Sequence, residues 1–252
     1  MTKREWDDAE SKDHAPLEGA DLETYFALTG CVQYAATTGV RPDVAVSAHL
    51  LGSARARATS GHLTAAYGVM RYLSGSADRA LVLRRGDPND TTLAWFSDSN
   101  HAADRLTCRS VTGGAGFVGE CPLTYLCRGQ KSVQISSTGS ETVAMSANAR
   151  EILLSRRVLE VFGLAQKEPT VMRADNQAAI ALSENSTMLT DLSKHLAVRD
   201  RFIRETVRDG FIKLVWVSTN HNLADLFTKP LPFPAFAPML AVVTGWASHL
   251  GL

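Results

Sequence analysis

The sequence predicts an α/β fold: a mixed sheet flanked by helices and preceded by a small helical segment. Three observations carry this. Residues 22–80 place apolar side chains on a helical period with short breaks. After residue 90 the pattern changes to short apolar, β-rich runs. These runs come three in succession and then alternate with helices, in the order β-β-β-α-β-α-α-β-α, which suits a mixed sheet covered by helices.

The first 20 residues, opening "MTKREWDDAESKDH", are charged and polar and read as a disordered tail rather than a signal peptide. A first helix fits "LETYFALTGCVQYAATT", and "GVRPD" breaks it. Pro42 suits the first turn of a second helix, "DVAVSAHLLGSARA". A third, "SGHLTAAYGVMRYLSG", starts after a serine and stops at Gly75. The turn-rich "RRGDPND" (84–90) marks a boundary, so residues 21–85 form one segment.

Beyond it, "TTLAWFSD" is a short strand ending at Asp98. "SVTGGAGFVGE" and "PLTYLCRGQKSVQIS" read as two more strands joined by a short turn. A long helix follows over 138–162, with Thr138 and Glu141 matching a capping box and Gly163 ending it. "TVMRAD" is a fourth strand, followed by a short helix from Asn176 to about Glu184. "LTDLSKHLAVRDRFIRETVRDG" contains a helix stopped by Gly210, and "FIKLVWVS" is the fifth strand. A short helix starts near Leu223, and the apolar tail 233–252 is long enough for one amphipathic helix.

Composition bounds the function. The 252 residues are 45% hydrophobic and 21% charged, enough for a real core. Lys+Arg and Asp+Glu are both 26, so overall charge does not announce a nucleic-acid binder. Cys31, Cys108, Cys121 and Cys127 lack the close paired spacing of a zinc site and read as free thiols. No apolar run approaches a membrane span, and the chain reads as intracellular, in cytoplasm or nucleus.

Four acidic residues fall at element boundaries: Asp98, Glu141, Asp175 and Asp225. Carboxylates from distant segments are what a hard divalent cation such as Mg²⁺ takes as ligands. Converging on one sheet edge, four of them would make a two-metal phosphodiester hydrolase site. Each acid also has a plainer reading. Asp98 fits a turn, Asp175 could N-cap the helix that follows, Glu141 could complete the capping box, and Asp225 could sit in the first turn after an Asn222 cap. Their joint occurrence in this frame favours the shared site. The arginines 199, 201, 204 and 208, interleaved with Asp200, Glu205 and Asp209, read as a solvated helix face.

The segment from about 91 to 232 resembles the ribonuclease H domain of copia-type LTR retrotransposon polyproteins. The matching stretches are "FSDSNHAADRLTCRSVTGG", "SSTGSETVAMSANARE", "ADNQAAIALSEN", "SKHLAVRDRFIRE" and "IKLVWVSTNHNLADLFTKPLP". Residues 28–80 look like the end of the reverse transcriptase that precedes this domain. The resemblance implies an RNase H-like, five-stranded mixed sheet over 90–232. It implies Mg²⁺-dependent cleavage of the RNA strand of an RNA–DNA hybrid, with two metals per site and Mn²⁺ as a substitute. It puts the metal-binding acids on Asp98, Glu141, Asp175 and Asp225.

The sequence departs from the family at two places. Where relatives read Ser-Asp-Ala-Asp-Trp, this chain has Ser97-Asp98-Ser99-Asn100-His101; where they read Thr-Glu-Ala-Glu-Tyr, it has Thr138-Gly139-Ser140-Glu141-Thr142. No Tyr-x-Asp-Asp sequence occurs, so the polymerase is absent. His221, in the loop before Asp225, is a candidate for proton transfer. Ser99, Asn176, Gln177, Arg128 and Lys131 are candidates for substrate contact, through 2′-hydroxyls or phosphates. Residues 21–85 could dock a polymerase or another polyprotein product. The competing reading is an inactive structural or partner-binding module that keeps the fold and has lost the chemistry.

Overall fold

The computed structural model describes every residue except 39, 84–86, 88, 185–193 and 248–252, and the side chains of 194–197. The turn-rich 84–90 stretch therefore lies mostly outside the described residues, as does the end of the C-terminal tail. Eight α-helices and five strands are described: α1 Lys3–Ala9, α2 Gly19–Thr37, α3 Ala45–Ser53, α4 Ser60–Gly75, β1 Leu93–Asn100, β2 Val111–Val118, β3 Cys121–Gly129, α5 Ser137–Val161, β4 Thr170–Ala174, α6 Gln177–Glu184, α7 Lys194–Arg208, β5 Ile212–Trp216 and α8 Phe233–Val243.

The strands form one sheet in the order β3-β2-β1-β4-β5. β1, β2 and β3 are antiparallel, whereas β4 and β5 run parallel to β1. This is the five-stranded mixed sheet with flanking helices that the resemblance implied. β1–β3 meander through the loop 101–110 and a two-residue turn at 119–120, while the parallel strands need the helical crossovers α5 and α6–α7.

Each face of the sheet carries its own core. On one face Trp95, Met172 and Leu214 meet Met145, Ala149 and Ile152 of α5 and Ile203 of α7. On the other, Phe96, Ala115 and Phe117 meet Leu223, Leu226 and Phe227, which lie in or beside a 3₁₀ turn over Leu223–Phe227, and Met239, Leu240 and Val243 of α8. β2 runs between the two cores with little side-chain bulk. A Cβ on Gly114 would stand 2.0 Å from Asn148 Oδ1, and one on Gly113 would stand 2.5 Å from the Thr228 methyl. Only glycine lets both layers approach that closely.

The N-terminal helices α1–α4 enclose a third core around Tyr25, Val32, Leu51 and Val69. It meets the sheet at β3. The Tyr125 ring stacks on Phe227 at 5.2 Å between centroids, and its hydroxyl donates to the carbonyl of Ala36 in α2.

Four expectations need correction. The first 20 residues are not a structureless tail, because residues 3–9 form α1. Thr2 and Glu5 build a capping box there, and Trp6 is buried edge-on against His62. Charge along the segment masked that single anchoring aromatic. The third strand stops at Gly129 rather than continuing through Ile135, and the first strand runs on to Asn100, so Asp98 sits inside it. The cap of α5 is Ser136, whose hydroxyl accepts from Gly139 N at 3.0 Å, instead of a Thr138–Glu141 box. Gly163 does end α5, in the left-handed region at φ 78°.

Candidate metal centre

β1 delivers Asp98 in mid-strand, opposite Gly113 of β2, and the side chain is buried. β4 ends at Ala174, and Asp175 leaves its carboxyl end, the side of an α/β sheet where ligands bind. The 3₁₀ turn after β5 supplies Asp225. Asn222 caps this turn, accepting from Ala224 N at 3.2 Å and donating to the Ser97 carbonyl at 3.0 Å, which pins the turn to β1. The result brings one carboxylate oxygen each from Asp98, Asp175 and Asp225 within 4.8 Å of one another.

Glu141 stands beside this group. Because Ser136 takes the capping role, Glu141 is free to turn towards β1. Its Oε1 accepts from Ser99 N at 3.3 Å, while its Oε2 is buried without a hydrogen-bond partner. Asp225 Oδ1 is likewise buried and unpartnered. Asp175 does not cap α6. Asn176 does, accepting from Ala179 N at 2.9 Å, which leaves Asp175 Oδ2 to accept from Thr219 Oγ1 at 2.8 Å.

Neighbouring like charges and burial both penalise ionisation. Burial, then the charges of Asp98 and Asp175, push Glu141 up to about 9. Burial and the Asp98 charge push Asp225 up to about 7, against the pull of Lys229. Burial also raises Asp98, while Lys229 and the Thr228 hydroxyl oppose the rise. At neutral pH the group therefore holds protons that ordinary carboxylates would have released.

The donor set suits a hard divalent cation. It is all oxygen, comes from four separate segments, and keeps two buried oxygens with no protein partner. Asp98, Asp175, Asp225 and Glu141 are the residues that would hold it.

The remaining sequence candidates divide. Asn176 and Gln177 line a shallow depression with Glu141, Asp175 and Trp216. Ser99 donates through its hydroxyl to Ser140 Oγ at 2.9 Å, so it braces the Glu141 helix against β1. Lys131 is exposed and lines a groove that also includes Asn100, Thr228 and Lys229. Arg128 lies apart from the acids, lining a cavity between β3 and α2–α3 with Gln33 and His49. His221 is exposed, with its Nδ1 3.1 Å from Ser218 Oγ, and among the described residues no hydrogen bond links it to a carboxylate. The arginine-rich helix face is not wholly solvated, since Arg204 pairs with the buried Asp200 at 2.8 Å.

Sequence reasoning missed three contributors. Lys229 Nζ stands 2.8 Å from Asp225 Oδ2, and Thr228 donates its hydroxyl to Asp98 Oδ2. The i,i+4 spacing of Asp225 and Lys229 was the available signal. Asn148, buried on α5, accepts from Trp95 Nε1 at 2.9 Å and donates to Ser97 Oγ and the Gly113 carbonyl, both at 2.9 Å. It ties α5 to β1 and β2 beneath the acids, and nothing in its neighbours marks it in the sequence.

No protein-family model matches the chain. Among curated proteins, the Retrovirus-related Pol polyprotein from transposon RE1 of Arabidopsis thaliana is 32% identical over 216 residues, covering 86% of this chain and 14% of that protein. Its counterpart from transposon TNT 1-94 of Nicotiana tabacum is 33% identical over 208 residues, covering 82% and 15%. The chain thus spans about one-seventh of the length of the curated relatives it matches. Among solved structures, the N-terminal RNase H domain of a Mycobacterium tuberculosis protein aligns with TM-score 0.41 at 12% identity, over 60% of this chain and 96% of that one. The foamy viral protease–reverse transcriptase in complex with RNA/DNA hybrid aligns with TM-score 0.46 at 15% identity, over 92% and 28%.

Proposed function

The chain is homologous to a segment of the retrovirus-related Pol polyproteins of plant transposons, and from that premise we propose that it is a divalent-cation-dependent endoribonuclease acting on the RNA strand of RNA–DNA hybrids. The observation that carries the reading is the convergence of Asp98, Asp175 and Asp225 within 4.8 Å, beside a buried Glu141. A purely structural module has no use for several carboxylates forced together out of water, since such an arrangement costs stability.

Asp98, Glu141, Asp175 and Asp225 would hold Mg²⁺, with Mn²⁺ as a substitute. A cation held there would supply Lewis-acid activation of a water nucleophile and charge stabilisation at the leaving oxygen of the phosphodiester. Asp98 is the rigid member, fixed in mid-strand and oriented by Thr228. Asp225 comes in on the turn that Asn222 locks to β1. Glu141 is steadied by the Ser99 N–H and the Ser99–Ser140 contact. Asn176 and Gln177, beside Asp175, offer amide groups to the 2′-hydroxyls that distinguish RNA from DNA. Lys131 serves the phosphate backbone, as a cation along the groove. His221, exposed and remote from hydrogen bonding to the acids, assists proton transfer at most modestly.

The reading is tested with an end-labelled RNA–DNA hybrid incubated with Mg²⁺, with Mn²⁺ and with chelator, beside duplex DNA and the Asp98→Asn variant. Metal-dependent loss of the RNA strand by the unsubstituted protein alone supports it. Folded protein that cleaves nothing under either metal overturns it and leaves an RNase H-fold partner-binding module, with residues 21–85 as the surface that docks a polymerase or another polyprotein product.

A further inference from the structure

We infer that Lys229 is the resident counter-cation of the carboxylate group, so that a divalent ion enters by displacing its ammonium from Asp225 rather than by filling an open position. The inference rests on the metal-centre reading above and deepens it.

Four observations support it. Lys229 Nζ lies 2.8 Å from Asp225 Oδ2, within direct ion-pair distance of a proposed metal ligand. The Asp225 side chain is only 4% exposed, whereas that of Lys229 is 34% exposed, so the acid is fixed while its partner has a path outward. The lysine is anchored at its backbone, because its N–H bonds back to the Asp225 carbonyl at 3.4 Å and Thr228 beside it is tied to Asp98. The side chain also borders the groove lined by Lys131, Arg105 and Asn100. An ammonium that leaves Asp225 therefore has an open groove of mixed charge to swing into, where Asp7, Glu10 and Asp104 also stand.

The chemistry requires the exchange. An ammonium is a compact point charge with three donors. A divalent ion bonded to the same carboxylate would face it at close range, where like charges repel. Cation and cation therefore compete for Asp225. In the absence of metal Lys229 offsets part of the repulsion among the acids. In its presence Lys229 is released towards the groove.

Mg²⁺ binding is measured by isothermal titration calorimetry, and thermal unfolding with and without Mg²⁺, on the whole chain and on Lys229→Met, Lys229→Gln and Asp225→Asn. Removing the competitor should tighten Mg²⁺ binding by about tenfold, a typical size for coupling between two ligands. Lys229→Met should unfold at a lower temperature in chelator yet gain more from Mg²⁺ than the unsubstituted protein. Lys229→Gln keeps a donor for Asp225 and guards against loss of the fold in the methionine variant. If both variants bind Mg²⁺ no more tightly, and gain no more in thermal stability from it, the counter-cation role is overturned while the metal centre stands. If no form binds Mg²⁺ saturably, the metal centre itself is overturned and the exchange with it.

Discussion

Asp98→Asn should separate stability from chemistry in opposite directions. One carboxylate oxygen each of Asp98, Asp175 and Asp225 lies within 4.8 Å of the others. At that separation and an effective dielectric near 20, two full charges repel by roughly 3–4 kcal/mol. Much of this is already avoided, because Asp225, pushed up to about 7, keeps a proton part of the time. The gain from removing the Asp98 charge is then a fraction of the pairwise figure, about 1–2 kcal/mol. Asparagine retains an acceptor for the Thr228 hydroxyl and adds a donor that faces Asp225. For a protein of this size about 2–4 °C accompany each kcal/mol, so the midpoint in chelator should rise by ~2–8 °C. Saturating Mg²⁺ should stabilise the unsubstituted protein by about 3 kcal/mol at a hundredfold excess over its dissociation constant, and should stabilise the variant far less. Hybrid cleavage should fall by at least ~10³-fold. Differential scanning calorimetry with and without Mg²⁺ decides it. A variant that melts several degrees lower in chelator, or that responds to Mg²⁺ as the unsubstituted protein does, refutes the assignment of Asp98 to a strained, cation-holding site.

Other outcomes follow from the same geometry. Glu141 and Asp225 have folded-state values of about 9 and about 7, well above the ordinary 4.5 and 3.8, so the folded chain binds more protons than the unfolded one between about pH 4 and 9. Metal-free stability should therefore fall as pH rises through that window, and unfolding scans at pH 5.5 and 8.5 in chelator should show the lower midpoint at 8.5. Asn148→Ala strands the Trp95 indole N–H and the Gly113 carbonyl in the core, at a cost of about 3 kcal/mol, read as a lower denaturant midpoint. His221→Ala should lower single-turnover cleavage by less than about tenfold, since no hydrogen bond couples that ring to the acids among the described residues; a larger loss would give it a direct part in proton transfer.

The sheet was legible because its signals are local. Short apolar runs, and Gly163 and Gly210 as helix stops, act within one element or its ends. The acids were legible through residue type and through stretches such as "NHNLADLFTKPLP", which fix Asp225 in a recognisable frame. What was hidden depends on contacts across the chain. Glu141 had a good local explanation as a cap, and only the competing Ser136 hydroxyl reveals that it is free. Trp6 looks like one aromatic in a charged tail until His62, more than fifty residues away, gives it a wall. Arg128 and Lys131 are near neighbours in sequence, yet β3 ends between them, so one lines a cavity against the N-terminal helices and the other the groove beside the acids.

Tyr125 carries a practical consequence. Its ring lies flat on Phe227, two residues past Asp225, while its hydroxyl reaches the end of α2. The short turn bearing Asp225 is therefore sandwiched, with β1 and β2 on one side and Tyr125, tied to α2, on the other. A fragment trimmed at the 84–90 turn would keep every acid and still lose the clamp that seats one of them. Silence from such a fragment would report a loosened hinge pin rather than missing chemistry, and a negative cleavage assay is informative only on a piece that keeps the N-terminal helices.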